Sequence, residues 1–591
     1  MSVSVSHVAT RVYGWPLAVL LALAPLWLVG ILDRGLWTPD EPREADIAWR
    51  MSQQSDRTLP QLAGTPFLEK PPLSYWLSAA GIATFGESAA AARAPNILYA
   101  AVTALAIGSL ACAMAGAGAA SLSALFAGTT LIAFRVSVWL APDAGLLAGC
   151  ALALAGAYAG FTAPPGRRKL LGYTAMHVGA AVGFMAKSAP GWLVPALALI
   201  AIIVWERRWS ELRRWELYAG FIVQALIIGP WIYAVALTPI GRDALLAFFW
   251  HNVVGRFTKV SGPTLLDYTT GHHNWPGKYF FELPVYLFPW TLLAVAALRR
   301  AWTRVRTPGS EGTPWRFTIA AAVPFLVLLS LAATARDIYA APAMLGFSVL
   351  IALWARASQG NLTRLDRFAL SGTRILVALI TLVFAGFLVV VGLAPPGMGI
   401  VDDSSANARL THAPIAILAA AVALWLASRS QRRGDVQRSL LWTYAAYAGA
   451  LCVTALTAFP LVDGWQNLQI IAKDVHRDTR NMPLGLLDPD ETTLAILDHG
   501  LLTPVSVLDT QGKSAEQVVS DWFRVRGTRA RVLVLLPGHA AGDLTPFMSF
   551  FRPVSPPDDG VAGALTKKGA AAIVKRYELP QGRRYALLGP E

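Results

Sequence analysis

Continuous apolar blocks of about twenty residues recur along most of this 591-residue chain, and that recurrence decides what it can fold into. A helix of that length crosses the hydrocarbon core of a bilayer. Lipid offers the backbone no water to bond to, so only helices and closed barrels satisfy their amides there. The blocks are continuous rather than alternating, which excludes a barrel. Hydrophobic residues make up 55% of the chain and charged residues 15%, well below the usual charged share of about a quarter in soluble domains. The expectation is an all-α polytopic membrane protein.

About thirteen spans are expected, near 14–33, 88–116, 117–134, 143–163, 169–187, 189–206, 216–237, 279–298, 316–334, 338–355, 374–394, 412–428 and 439–459. The first follows a single basic residue, Arg11, with no small-residue cleavage site after it, so it reads as a retained span. Arginine and lysine collect in alternate loops: Arg167, Arg168 and Lys169; Arg207, Arg208, Arg213 and Arg214; Arg299, Arg300, Arg304 and Arg306; Arg356, Arg364 and Arg367; Arg429, Arg432 and Arg433. By the positive-inside rule these loops are cytoplasmic, the N-terminus is inside and the C-terminus outside. The net charge of +14 is therefore a topology signal, and no nucleic-acid partner is expected. Cys112, Cys150 and Cys452 all lie in apolar segments without a CxxC, which argues against a disulfide framework or a thiolate metal site. After Pro460 the sequence becomes soluble in character. The expected division is a membrane domain, 1–464, and an outer α/β domain, 465–591. Strands are expected at Thr493–Leu497, Arg531–Leu536, Val574–Leu579 and Tyr585–Leu588, with a helix over Ser514–Arg526. No catalytic motif shows in that tail.

The outer loops carry the unusual residues. The first, 34–87, opens Thr38-Pro39-Asp40-Glu41-Pro42-Arg43-Glu44-Ala45-Asp46. Thr38 and Glu41 fit a T-x-x-E capping box with Pro39 at the first helical position. At a membrane edge, Asp40 and Glu41 equally suit holding a proton or orienting a sugar hydroxyl or amine. The loop continues Phe67-Leu68-Glu69-Lys70-Pro71-Pro72-Leu73-Ser74-Tyr75-Trp76. Leu73–Phe85 is apolar but too short to span, and an interfacial helix is expected. Lys70 fits either snorkelling to headgroups or a phosphate contact beside a helix N-terminus. Asp143, after Trp139-Leu140-Ala141-Pro142, is either a cap or a functional carboxylate at the membrane edge. Lys187 faces outward against the positive-inside bias. The loop 238–278 holds His251, Arg256, His272 and His273; the loop 395–411 holds Asp402 and Asp403. Glu69 and His251 would be two zinc ligands at most, too few alone. Arg336-Asp337-Ile338-Tyr339 forms a tight outer turn. Lys70, Lys187, Arg256 and Arg336 thus share one face with Asp40, Glu41 and Asp143. Cations at that depth suit a lipid phosphate and carboxylates suit a sugar, a combination that fits a polyprenyl-phosphate sugar donor.

Asp40-Glu41-Pro42-Arg43 and Glu69-Lys70-Pro71-Pro72-Leu73-Ser74-Tyr75-Trp76 resemble motifs of the bacterial GT-C superfamily of lipid-linked-sugar glycosyltransferases. That superfamily includes the aminoarabinose (4-amino-4-deoxy-L-arabinose) lipid A transferases and the protein O-mannosyltransferase-like enzymes. The segments 248–257 and 336–342 match as well, the likeness runs through the whole chain, and the aminoarabinose branch fits best. The resemblance implies a catalytic acid at Asp40, a second at Asp143, donor-phosphate contacts from Lys70, Arg256 and Tyr339, and a metal-binding pair, a structural zinc, in Glu69 and His251. From the loop residues themselves, Glu41 is expected beside the catalytic acids, Arg336 and Lys187 on the donor phosphate, and Arg43 and Tyr75 at the sugar or acceptor; no cofactor is expected for the chemistry. The implied activity is inverting transfer of a sugar from undecaprenyl phosphate to lipid A on the periplasmic face of a bacterial inner membrane, the modification behind polymyxin resistance. Lys187-Ser188 in place of Lys-Gly, Arg43-Glu44-Ala45-Asp46 in place of Arg-Tyr-Ala-Glu, and the 336–339 turn depart from the pattern and bear on which sugar and acceptor are used. The rival readings are a protein or other glycan O-glycosyltransferase and, in another class, a carrier or flippase for a polyprenyl-linked glycan. A non-catalytic scaffold with a ligand-binding outer domain is the third.

Overall fold

The computed structural model describes residues 14–32, 34–254, 275–332, 336–392, 406–500, 505–510, 512–537, 559–579 and 583–591. The chain is a mostly helical multi-span membrane protein closed by a mixed β-sheet. Among the described residues eight helices are long and apolar enough to cross a bilayer, and ten if each bent pair counts as one span. Each of the thirteen expected segments holds a helix or a bent pair. The shortfall from thirteen has local causes. Trp15–Ile31 (α1) and Pro190–Glu206 have 17 residues each, against 19 in the shortest helix counted as a span, and Arg167–Lys187 opens on three basic residues. The pair Ala117–Thr129 and Leu131–Val138 bends by 69°, where Thr130 caps the second helix by accepting from the Ala133 amide at 3.3 Å. The pair Lys278–Tyr286 and Thr291–Arg304 turns by 116° around Pro289.

The first outer loop carries Asp40–Gln53 (α2) and Leu73–Phe85 (α3). The expected capping box is absent. Pro39 precedes α2 without a side-chain cap, and Thr38 donates instead to Gln466 Oε1 at 2.7 Å. Glu41 turns inward and is fully buried. Both of its oxygens accept from Arg34 (2.8 and 3.0 Å) and from Arg93 (2.9 and 2.7 Å), and they also accept the Trp37 and Leu140 amides, each at 2.8 Å. Two buried guanidinium groups need a counter-charge, and this carboxylate supplies it. Glu41 therefore locks the loop to three parts of the bundle and is no part of an accessible site.

Asp143–Thr162 (α4) and Arg167–Lys187 (α5) form the tightest helix pair. Their seam is glycine on both sides: a Cβ at Gly156 would lie 2.3 Å from the Met176 amide nitrogen, and one at Gly179 2.4 Å from that of Ala153. Lipid gives helices no hydrophobic reason to associate, so close backbone approach through small residues does that work. Because the two run antiparallel, the first residue of α4, Asp143, meets the last of α5, Lys187.

Val436–Gln466 (α6) runs from the bundle toward the tail. Near its end Asp463 accepts from the Gly35 amide at 2.6 Å and from Trp37 Nε1 at 2.9 Å. The tail's sheet comprises Leu484–Leu487 (β1), Ser506–Leu508 (β2), Arg531–Leu535 (β3), Ala572–Glu578 (β4) and Arg584–Gly589 (β5), in the order β2-β1-β3-β5-β4. β2, β1 and β3 are parallel, while β5 is antiparallel to β3 and β4. Alternate residues feed two cores: Leu533, Tyr585 and Leu587 pack on one face, Val532, Val534 and Leu588 on the other. The expected strand at Thr493–Leu497 is instead helical, within Glu491–Gly500 (α7). Asp490 caps that helix, accepting the Thr493 amide at 2.9 Å. β1 and β2, short segments without alternation, were not anticipated.

Candidate active site

At the end of the bundle where α2, α3, α4 and α5 meet the turn before Ala341, charged side chains from six chain segments converge. Asp40, the first residue of α2, is held by a two-pronged pair: Arg336 Nη1 donates to Oδ1 at 3.0 Å and Nη2 to Oδ2 at 2.7 Å. Such forked pairing fixes direction as well as charge. Arg336 is itself set by its backbone, whose carbonyl accepts from Tyr279 Oη at 3.0 Å. One turn along α2, Arg43 lies 2.6 Å from Glu491, 3.1 Å from Glu44, 3.5 Å from Asp40 and 3.7 Å from Glu69. Lys70 donates to Glu44 at 2.8 Å and lies 3.6 Å from Glu69. Asp143 and Lys187 form an ion pair, and the Lys187 ammonium stands 4.5 Å above the Tyr339 ring.

These pairs sense one another. Burial alone would raise the Asp40 carboxyl, but the hydrogen bonds and charge of Arg336, with Arg43 and Lys70 behind it, hold it down at about 2. Burial likewise works against the Arg336 charge, and Asp40, Tyr339 and Asp143 more than restore it, raising that group above its ordinary value. Lys70 is kept charged in the same way, its burial outweighed by Glu44 and Glu69.

The structure brings together Asp40, Arg43, Glu69, Lys70, Asp143, Lys187, Arg336 and Tyr339, as expected of one site. It does not leave their cations free: each of the four described bases already faces a carboxylate. One further expectation is corrected: Glu41 faces the opposite way into its arginine cage. Tyr75 is 2% exposed with its ring among Ile47, Met51, Leu62 and Phe67, and its hydroxyl stands beside Glu44, Arg43 and Glu69 at the floor of the cluster. Glu69, expected as half of a zinc pair, has Arg43 and Lys70 as neighbours. The side chains of His251 and Arg256 lie outside the described residues, as do His272, His273, Asp402 and Asp403. Among the described residues no group of three or more His, Cys, Asp or Glu is arranged to hold a metal. Glu44 and Glu491 were not singled out in the sequence. Glu44 stands inside the first motif, while nothing around Glu491 marks it.

A family model described as dolichyl-phosphate-mannose-protein mannosyltransferase matches residues 69–233. The undecaprenyl phosphate-α-4-amino-4-deoxy-L-arabinose arabinosyl transferase of Pseudomonas paraeruginosa is 30% identical over 390 residues, 63% of this chain and 65% of that protein. The protein of the same name from Serratia proteamaculans is 28% identical over 344 residues, 58% of this chain and 59% of its own. The chain thus matches rather less than two thirds of the length of these curated relatives. The crystal structure of ArnT from Cupriavidus metallidurans bound to undecaprenyl phosphate superposes with a TM-score of 0.68 at 19% identity, covering 97% of this chain and 98% of that one. Residues 69–233 match the dolichyl-phosphate-mannose-protein mannosyltransferase model, and over nearly its whole length the chain has the fold of ArnT.

Proposed function

We propose that this protein is an inverting glycosyltransferase that takes a sugar from undecaprenyl phosphate and gives it to a lipid A phosphate, the sugar being 4-amino-4-deoxy-L-arabinose. The relatives' names and the undecaprenyl phosphate held by the Cupriavidus protein support the donor. In this reading all thirteen helical segments span, the charged cluster is periplasmic, and the tail lies on the same side.

The observation that carries this reading is the convergence of both charge signs: Arg43, Lys70, Lys187 and Arg336 stand interleaved with Asp40, Glu44, Glu69, Asp143 and Glu491 in one cluster. A lipid-linked amino sugar suits both, its phosphate taking up the cations and its ammonium meeting the carboxylates.

In the proposed step an acceptor oxygen attacks the anomeric carbon. The bond from that carbon to the donor phosphate breaks with its electron pair going to the phosphate oxygen, and undecaprenyl phosphate leaves. Lys70, Arg336 and Arg256 stabilise the growing charge on the leaving group, the kind of fixed electrostatic help that dominates catalysis. Asp40, held near 2 by Arg336, is a poor base for a hydroxyl at neutral pH. That favours an acceptor already ionised, as a lipid A phosphate is, and leaves Asp40 to orient the sugar. No cofactor takes part.

The test is direct. Purified protein is incubated with a panel of undecaprenyl-phosphate sugars and with lipid A or peptide acceptors, and products are identified by mass spectrometry. Aminoarabinosyl lipid A is expected. A glycosylated peptide would replace this reading with that of a protein O-glycosyltransferase, and vectorial movement of donor without transfer would replace it with that of a carrier.

A further inference from the structure

The N-terminus of α7 is fixed from within the tail. Arg583, immediately before β5, pairs with Asp490 and donates to Thr493 Oγ1 at 2.8 Å and to Tyr585 Oη at 2.7 Å. Asp490 in turn caps the helix. One turn further, Ala495 is buried in a cluster with Ile47, Met51, Leu62, Phe67 and Tyr75 of the first outer loop, and α7 packs directly on α2. Its first two residues then reach the site. Glu491 Oε2 lies 2.6 Å from Arg43 Nη1, nearer than any of that arginine's other three carboxylates. Thr492 is 5% exposed and donates to the Pro39 carbonyl at 2.9 Å, one residue before Asp40.

The consequence for Asp40 is geometric. Arg43 and Arg336 both lie within ion-pair range of its carboxylate. A guanidinium released from Glu491 has three carboxylates left on its own loop, and Asp40 is one of them. Its approach would compete with Arg336 and rotate Asp40 out of the forked pair. Thr492 meanwhile pins the backbone from which Asp40 projects. We propose that Glu491 and Thr492 are positioning residues of this transferase, by which the C-terminal α/β segment, acting through Arg43 and Pro39, aims Asp40 at the reacting sugar. This rests on the transferase reading above.

The test uses the full-length protein with E491Q, T492V, the double variant and the conservative E491D, measuring kcat, KM for the lipid-linked donor, and the thermal unfolding midpoint. Misplacing a group by an ångström costs on the order of a hundredfold in rate, so the double variant is expected to lose kcat by roughly 10- to 100-fold. Donor KM and the midpoint stay close to wild type, and E491D recovers most of the rate. R43K combined with E491Q is expected to cost less than the two losses multiplied. Wild-type kcat in the double variant, or strict multiplicativity of R43K and E491Q, would overturn the proposal. If the double variant does not fold, E491Q alone decides, since Glu491 is 30% exposed and its loss leaves the packing of α7 intact. A wild-type protein that transfers sugar from no donor would instead bring down the transferase reading, and this inference with it.

Discussion

At the scale of single residues, the neighbours Asp40 and Glu41 show how two adjacent acids come to differ. Successive residues on a helix point about 100° apart, so one looks into the charged cluster and the other into the bundle. Asp40 carries the pH prediction. Its folded-state pKa of about 2 lies below the ordinary 3.8. Its contribution to stability is therefore complete above roughly pH 4 and lost only as the pH falls toward 2. Between pH 4 and 8 the transfer rate is expected to show no acidic limb from Asp40. Arg336→Gln removes the largest lowering influence, so burial then pushes the carboxyl upward, and a limb enters that range; an unchanged profile in this variant would contradict the clamp. Glu41 carries a stability prediction. Glu41→Gln strands Arg34 and Arg93 without a counter-charge, and breaking a buried pair in this way costs about 3–5 kcal/mol. A sharply lower unfolding midpoint in detergent is expected, and a near-normal midpoint would speak against the cage. The motif around these acids is plain in the sequence, and so is the placing of Asp40, Lys70, Asp143 and Lys187 on one face. Which of two neighbouring acids faces the site is not, because it depends on Arg34 and on Arg93, 52 residues beyond Glu41.

At the scale of elements, hydropathy marks every helical segment because each needs about twenty apolar residues, a signal that survives averaging. The tail is harder to read. Leu484–Leu487 is four residues long and wholly buried, so it lacks the alternation that identifies a strand. Thr493–Leu497 has β-branched and apolar residues, and its helical state is decided by the Asp490 cap, whose own geometry depends on Arg583 in the last hairpin. The α4–α5 seam yields the element-scale prediction. Gly179→Leu places a side chain where the Ala153 backbone now sits, and overpacking of this kind costs about 1–3 kcal/mol or more. Since the seam aligns Asp143 with Lys187, the unfolding midpoint and the transfer rate are both expected to fall. A variant that loses neither would show that the helices can separate without cost.

At the scale of the whole molecule, the first outer loop and the C-terminal sheet occupy the same end, joined through Asp463, Thr38 and α7, while Arg306 and Arg433 sit in the loops expected to be cytoplasmic. Single cysteines introduced at the exposed positions Asp56 and Lys568, in a background lacking the three native cysteines, are expected to react with an impermeant thiol reagent from the outer face. Cysteines at Arg306 and Arg433, also exposed, are expected to react only after the membrane is opened. The reverse pattern would invert the proposed topology. One property described for the charged end has a consequence for selection among ligands. Its four described bases are already married to acids, so a phosphate headgroup enters by divorce rather than by filling a vacancy: it must take a lysine or arginine from a carboxylate and leave that carboxylate a new companion. Orthophosphate, with neither an isoprenoid chain to anchor it nor an ammonium to offer the displaced acid, has little to drive that exchange. The protein would thus pass over free phosphate without any dedicated gate.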